Sequence, residues 1–246
     1  MAGIDWLTAR PIAHRALHGG AQVENTLGAA AAAVAGNYAI EADLQLAADG
    51  EVVVFHDATL DRLTRGTGTV AEKTLAELKR IAFKDCAERI PTLAELLSLV
   101  GGRTPLVLEL KSNWDADDRL VRRVATELER YAGPVAVMSF DPRLLAALRV
   151  HAPGLPRGIV AERRYRHPDW ARLSLWQRLY LANLLHIFST KPHFVAYSVQ
   201  DLPALAPLLA RHGLGMPLLT WTVRTEAERK RARFWANQMI FEGLRP

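Results

Sequence analysis

The sequence predicts an α/β fold, a (β/α)8 barrel, and three observations carry that prediction. Short β-rich runs alternate with helical stretches along the whole chain, the rhythm of a parallel sheet joined by helical crossovers. Eight such runs remain once one hairpin is set aside. The 246 residues also fit the roughly 250 that one barrel of this kind takes.

In chain order the strand-like runs are PIAHR, AIEADLQL, VVVFHD, PLVLEL, VAVMSF, RGIVAE, FVAYSV, PLLTWTV and QMIFEG. The stretches at 27–35, 119–131 and 143–150 read as helices between them, and the alanine run 29–33 is a good helix former. AIEADLQL and VVVFHD flank the turn-like Asp49-Gly50, so VVVFHD counts as a hairpin extension of the second strand. Residues 58–92 hold a Gly-rich turn and one helix, and read as a small insertion after that hairpin. A doubly wound dinucleotide fold is disfavoured, because no G-x-G-x-x-G loop follows a strand. One domain spanning 1–246 is expected.

Composition narrows the setting. Half the residues are hydrophobic and 23% are charged, the balance of an ordinary globular chain. No run of 18 or more apolar residues is present, so a spanning helix is not expected. MAGIDWLTAR lacks the basic and apolar regions of a signal peptide, which with a native start predicts a cytoplasmic protein. The single cysteine, Cys86, excludes an intrachain disulfide and fits a reducing compartment. The net charge of +5 comes mostly from arginines spread along the chain; without a helix-turn-helix, zinc-finger or RNP-like pattern, no nucleic-acid partner is expected.

The chemistry concentrates in two places. His14 and His56 bracket Glu41 and Asp43, and the Glu41-x-Asp43 spacing puts both carboxylates on one face of a strand, where they can share a cation. Glu109 and Lys111 form a second same-face pair, closing a run that otherwise reads as a buried strand. Oxygen ligands suit Mg²⁺ or Ca²⁺. In a barrel these positions fall at or near the strand ends where active sites gather. The constellation points to metal-assisted cleavage of a phosphate ester: a cation and Arg15 and Lys111 to bind phosphoryl oxygens, and two histidines to move protons. His18, His151, His167, His186, His193 and His212 lack such a context and read as structural or solvated.

HRA followed by ENT, then IEADLQLAADGEVVVFHDATLDRLTRGTG, PTLAELL and LVLELKS, resemble the glycerophosphodiester phosphodiesterases in the order that family shows them. The strong part covers 11–112; a looser likeness runs through 138–142, 219–223 and 238–242. The resemblance implies a TIM-type barrel, His14 and His56 as general acid and base, and Arg15 and Lys111 as phosphate contacts. It further implies Glu41, Asp43 and Glu109 as metal ligands. The substrate it implies is a small glycerophosphodiester, whose own glycerol hydroxyl attacks to form a cyclic phosphate that water then opens. Glycerol 3-phosphate and an alcohol would result. Glu24 and Asn25 are expected to support the mouth, and a helix-start role fits equally well, since Asn25 or Thr26 can cap the alanine-rich helix. Trp221 and Glu242 are further pocket candidates.

The chain departs from the family at three points. Ala16 stands where glycine is usual, Arg224 where asparagine is common, and Ile240-Phe241-Glu242-Gly243 where Ile-Thr-Asp is the rule. Residues 163–194 mix arginines with tryptophan, tyrosine and phenylalanine. They read either as an extended fifth barrel helix with a buried apolar stripe or as a lid or peripheral contact on an anionic membrane. The membrane reading would make the chain a lysophospholipase D-like phosphodiesterase. A third reading, a non-catalytic binder of a phosphorylated ligand, has to explain two histidines that binding alone does not need.

Overall fold

Eight strands close on themselves in the computed structural model, which describes residues 3–20, 22–167 and 170–246. Met1 and Ala2 of the presequence reading, and Pro168 and Asp169 of the 163–194 segment, lie outside the described residues. The barrel strands are β1 (Ile12–Ala13), β2 (Ala39–Leu46), β4 (Leu106–Leu110), β5 (Val135–Ser139), β6 (Arg157–Ala161), β7 (Phe194–Ser198), β8 (Leu218–Val223) and β9 (Gln238–Phe241). All neighbours run parallel, and β1 pairs with both β2 and β9, which closes the ring. β3 (Val52–Val54) lies antiparallel on β2 outside that ring, as the hairpin reading required.

The helices form for legible reasons. α1 (Leu27–Ala35) starts at Thr26, whose hydroxyl accepts from the Ala29 amide, so Thr26 and not Asn25 is the cap. α3 (Leu93–Val100) and α9 (Glu226–Trp235) open with capping boxes, Thr92 with Glu95 and Thr225 with Glu228. α4 (Arg119–Leu128), α5 (Pro142–His151) and α8 (Leu205–Gly213) complete the outer ring. Residues 58–92 contain the short α2 (Leu75–Leu78) and make their own apolar cluster with β3, in which Phe55, Leu60, Val70, Phe83 and Ile90 are buried.

Strand alternation sorts the barrel interior into two layers. Ile12, Ala39, Val107, Met138, Leu219 and Ile240 form an apolar floor, closed below by Leu7 of the N-terminal turn. Two residues further along their strands, on the same face, come His14, Glu41, Glu109, Phe140, Trp221 and Glu242. The outward faces of the strands pack against the helices in a second cluster that includes Ile40, Leu44, Leu108 and the α1 alanines.

The segment after β6 differs from the reading of it as one extended barrel helix. It forms two short helices, α6 (Leu175–Ala182) and α7 (Ile187–Thr190), separated where Leu184 takes a left-handed backbone. Leu173, Leu181, Ala182, Leu184 and Ile187 are buried, yet Leu175 and Trp176 point to solvent, so the apolar stripe is only partly covered. No helix among the described residues is long and apolar enough to cross a membrane.

Gly158 of β6 faces Phe194 of β7 in register, and a Cβ there would meet the Phe194 ring at 2.2 Å. Gly158→Ala is therefore expected to cost about 1–3 kcal/mol through overpacking. A urea midpoint lowered at unchanged slope would show it. Gly154→Ala, whose added methyl meets nothing within 4 Å, should leave the midpoint where it was.

Candidate active site

The polar half of the barrel mouth is built by four consecutive strands. β2 points Glu41 and Asp43 inward, and its register with β4 sets Asp43 beside Glu109. Oxygens of all three carboxylates lie within 4.8 Å of one another, and all three residues are buried. Charges so placed must be compensated. Lys111, two residues beyond Glu109, places Nζ 2.7 Å from Asp43 Oδ1 and 2.5 Å from Glu109 Oε1. Arg15 Nε stands 3.7 Å from Asp43 Oδ2. Asn25 clasps Asp43 from both ends: its Nδ2 donates to Oδ2 at 2.8 Å and its Oδ1 accepts from the Asp43 amide at 3.2 Å.

Ionisation follows from this crowding. Burial alone would raise Asp43, but Lys111, His56 and Arg15 hold it far below the usual carboxylate range. Burial would likewise lower Lys111, yet Asp43 and Glu109 raise it above its ordinary value. Glu41 is the member left short. Burial and the neighbouring Asp43 and Glu109 push it well above its ordinary value, toward the protonated form. Three buried hard oxygen donors, one of them pushed toward its protonated form by burial and its acidic neighbours, are a set that a divalent cation fits.

Backbone strain serves the same cluster. Arg15 and Ala16 take φ of +51° and +65° in succession, which turns the Arg15 amide onto Glu41 Oε2 at 2.7 Å. The position where the family prefers glycine thus does require a left-handed residue, at a cost of about 1 kcal/mol for alanine. The Ala16 methyl is buried in the same cluster as the α1 alanines, which offsets part of that cost.

Each histidine is oriented through Nδ1. His14 Nδ1 lies 2.8 Å from Glu242 Oε2, and Arg224 donates to the same oxygen at 2.8 Å. His56 Nδ1 lies 2.7 Å from Asp57 Oδ1. Arg62 in turn donates through Nε to Asp57 Oδ2 and through Nη2 to Glu24 Oε1. Burial lowers His14 below the ordinary histidine value, and the bond to Glu242 only partly restores it. The His14 and Arg224 bonds hold Glu242 well below the carboxylate range. Asp57 is also depressed, His56 and Arg62 outweighing its burial.

His56 reaches the mouth by a route that strand ends alone do not give. β2 runs on past the barrel rim and β3 returns antiparallel, so the chain re-enters at the level of Asp43, whose carbonyl accepts from the Phe55 amide at 3.0 Å. Gln45 fixes that return, donating to the Phe55 and Asp57 carbonyls at 2.7 and 2.8 Å.

The structure thus brings together His14, Arg15, Glu41, Asp43, His56, Glu109, Lys111, Asn25 and Glu242. Glu24 joins them indirectly, bound to Arg15 at 2.8 Å and to Arg62, and not to the carboxylate cluster. Asp57, Gln45 and Arg62 were not legible as site residues. Asp57 had a signal in its place directly after His56; Arg62 stands in the same DATLDRLTRGTG run, but its partners are set by the insertion's fold. His18 also comes close, with a ring nitrogen within 4.8 Å of ligand atoms of His14 and Glu242.

The opposite half of the mouth is aromatic. Phe140 beyond β5 meets Trp221 of β8 at 5.4 Å between ring centroids, a contact between non-adjacent strands that only inward-pointing side chains make. Trp170 packs on Phe140 with their rings tilted at 4.8 Å between centroids, and meets Trp114 and Tyr165 edge-on. Trp221 is anchored by its indole N–H on the Ala196 carbonyl at 3.2 Å.

Replacing Glu41 by glutamine keeps an acceptor for the Arg15 amide and removes an ionisable group whose folded-state value is raised. Between its unfolded and folded values the native chain holds a proton that the unfolded chain has released, so stability falls as pH rises through that window. Glu41→Gln should therefore raise the melting temperature of metal-free protein at neutral pH, by about 2–4 °C per kcal/mol recovered. Added Mg²⁺ or Ca²⁺ is expected to raise the melting temperature of the native sequence and to leave that of the variant unchanged.

Known proteins match this architecture. The profile of the Glycerophosphoryl diester phosphodiesterase family matches residues 14–243. A glycerophosphodiester phosphodiesterase of Caldanaerobacter subterraneus is 30% identical over 218 residues, covering 85% of this chain and 83% of that protein. YhdW of Bacillus subtilis is 33% identical over 226 residues, covering 87% and 86%. An Oleispira antarctica phosphodiesterase, solved in complex with its product sn-glycerol-3-phosphate, has the same fold with a TM-score of 0.79, at 24% identity over 96% of this chain and 94% of that one. With a family match over nearly its whole length and two such relatives, the chain belongs to the glycerophosphodiester phosphodiesterase family.

Proposed function

We propose that this protein hydrolyses glycerophosphodiesters to glycerol 3-phosphate and an alcohol, with His14 and His56 as its proton-transfer pair. The observation that supports it most is the meeting, at one barrel mouth, of two histidines each held through Nδ1 by a carboxylate with a buried cluster of three acids and two cations. A pocket that only binds phosphate has no use for two oriented imidazoles.

Glu41, Asp43 and Glu109 would hold the divalent cation, Mg²⁺ or Ca²⁺, which when bound supplies Lewis acidity and a fixed point for the phosphoryl oxygens. Lys111 and Arg15 bind the remaining non-bridging oxygens. Arg15 Nε, buried with no hydrogen-bond partner among the described residues, is a donor left for that purpose. Burial lowers His14 and so favours its neutral form, which takes the proton from the glycerol 2-hydroxyl as its oxygen attacks phosphorus; Glu242, held toward its ionised form, stabilises the imidazolium that forms. His56, oriented by Asp57, protonates the departing alkoxide. In the second half water attacks the cyclic phosphate, His56 now taking its proton and His14 returning one to the 2-oxygen. Both histidines end as they began. The product is then the compound bound in the Oleispira antarctica neighbour.

The aromatic half of the mouth would receive the alcohol. Trp170, Phe140 and Trp221 offer π faces that suit the quaternary ammonium of choline, favouring glycerophosphocholine, with glycerophosphoethanolamine next. The same wall would accept the apolar part of a lysophospholipid, the second reading.

Purified protein with Mg²⁺ or Ca²⁺ is expected to release glycerol 3-phosphate from glycerophosphocholine, and chelator to abolish release. His14→Ala and His56→Ala should each lower kcat by about 10²–10⁴-fold. Turnover that survives chelator or either substitution would defeat the proposal. Glu242→Gln removes an interaction that raises His14, so the acid limb of kcat/KM should move to lower pH while the plateau falls. An acid limb unmoved would take the base role from His14.

A further inference from the structure

The segment 163–194 is unlike the rest of the chain in charge and in apolarity together. It carries six lysines and arginines against one acid, Asp169. With 31 basic and 26 acidic residues in all, the remainder of the chain holds 25 of each, so the entire net charge of +5 resides in this one segment. The arginines are spread along the chain; their excess over acids is not.

The same stretch exposes an apolar face. Leu175, Trp176, Leu179, Tyr180, Leu185 and Phe188 are six of the eleven large apolar side chains that the described residues leave exposed, and they fall within fourteen residues. Trp176 is 80% and Phe188 77% accessible. α6 buries Leu181 and Ala182 against the barrel and turns its other apolar side chains outward. A helix apolar on two sides lacks a partner on one of them. Arg166, Arg172 and Lys191, all exposed, flank this face.

We propose that α6, α7 and the basic loop before them dock the protein on an anionic phospholipid membrane surface. Tryptophan, phenylalanine and leucine would enter the acyl boundary while the cations meet anionic headgroups. Charge selects this occupant over a second copy of the chain, because two such faces would bring like charges together. The segment is continuous with the mouth through Trp170 on Phe140, so docking would place the aromatic half of the site beside the bilayer. Vesicle binding needs no turnover, so the proposal stands or falls apart from the chemistry assigned to the mouth.

The test is flotation of the full chain with vesicles of phosphatidylcholine alone and of phosphatidylcholine with phosphatidylglycerol, at low and physiological salt. The expected result is partitioning at least about tenfold stronger on the anionic vesicles, weakened by salt. Combined Arg166→Gln, Arg172→Gln and Lys191→Gln should reduce it about 100-fold, roughly fivefold per charge. Trp176→Ser with Phe188→Ser should release the protein from anionic vesicles at an unchanged melting temperature, which shows that the fold is kept. Equal partitioning on both vesicles, none on either, or undiminished binding of either variant would overturn the proposal. So would a concentration-dependent dimer, seen by sedimentation, that Trp176→Ser with Phe188→Ser dissolves while vesicles leave it intact.

Discussion

Three carboxylates forced together in a barrel interior are the constraint around which this structure is arranged. Glu41, Asp43 and Glu109 sit on adjacent strands in matching register, where low polarity magnifies their repulsion. Every nearby polar group answers that repulsion. Lys111 bridges two of the acids, Arg15 approaches Asp43, Asn25 grips it, and a pair of left-handed residues turns an amide onto Glu41. That shell still leaves one carboxyl, Glu41, favouring its proton, because burial and its two acidic neighbours outweigh the cations nearby. Stability is given up at Glu41, the one position in the cluster where a further positive charge would be most favourable.

Strand order converts that local arrangement into a functional one. β9, β1, β2 and β4 are consecutive around the ring and present the acids, cations and His14; β5 and β8, with the loop after β6, present rings. A bound diester would lie across the boundary, phosphate toward the charges and alcohol toward the aromatics. The apolar floor beneath makes this division sharp, because water cannot approach the carboxylates from below.

Much of this was legible in the sequence because it rests on period-two spacing and on chain order. Glu41-x-Asp43 and Glu109-x-Lys111 declare a shared face, and alternating runs declare the barrel. The illegible parts depend on distance in space. Arg62 reaches Glu24 only because the insertion folds against the hairpin, and Trp170 meets Phe140 only because the chain after β6 folds back over the mouth. The 163–194 segment misled as a single long helix because its apolar residues suit helix over most of their length, while the break at Leu184 is a backbone choice that leucine does not advertise. Ala16 shows the reverse case: the sequence marked the departure from glycine, and the structure supplies the buried methyl that makes it tolerable.

The bond between His14 and Glu242 joins the first barrel strand to the residue just past the last one, 228 positions later. A chain emerging from the ribosome therefore holds its acids and His56 long before it can orient His14. Until β9 slots in beside β1 the acids and the Asp57-held His56 can be in place while His14 still lacks its carboxylate. The site thus cannot be completed piecemeal: seating β9 beside β1 and orienting His14 are one event, and whatever opens that seam also frees the imidazole.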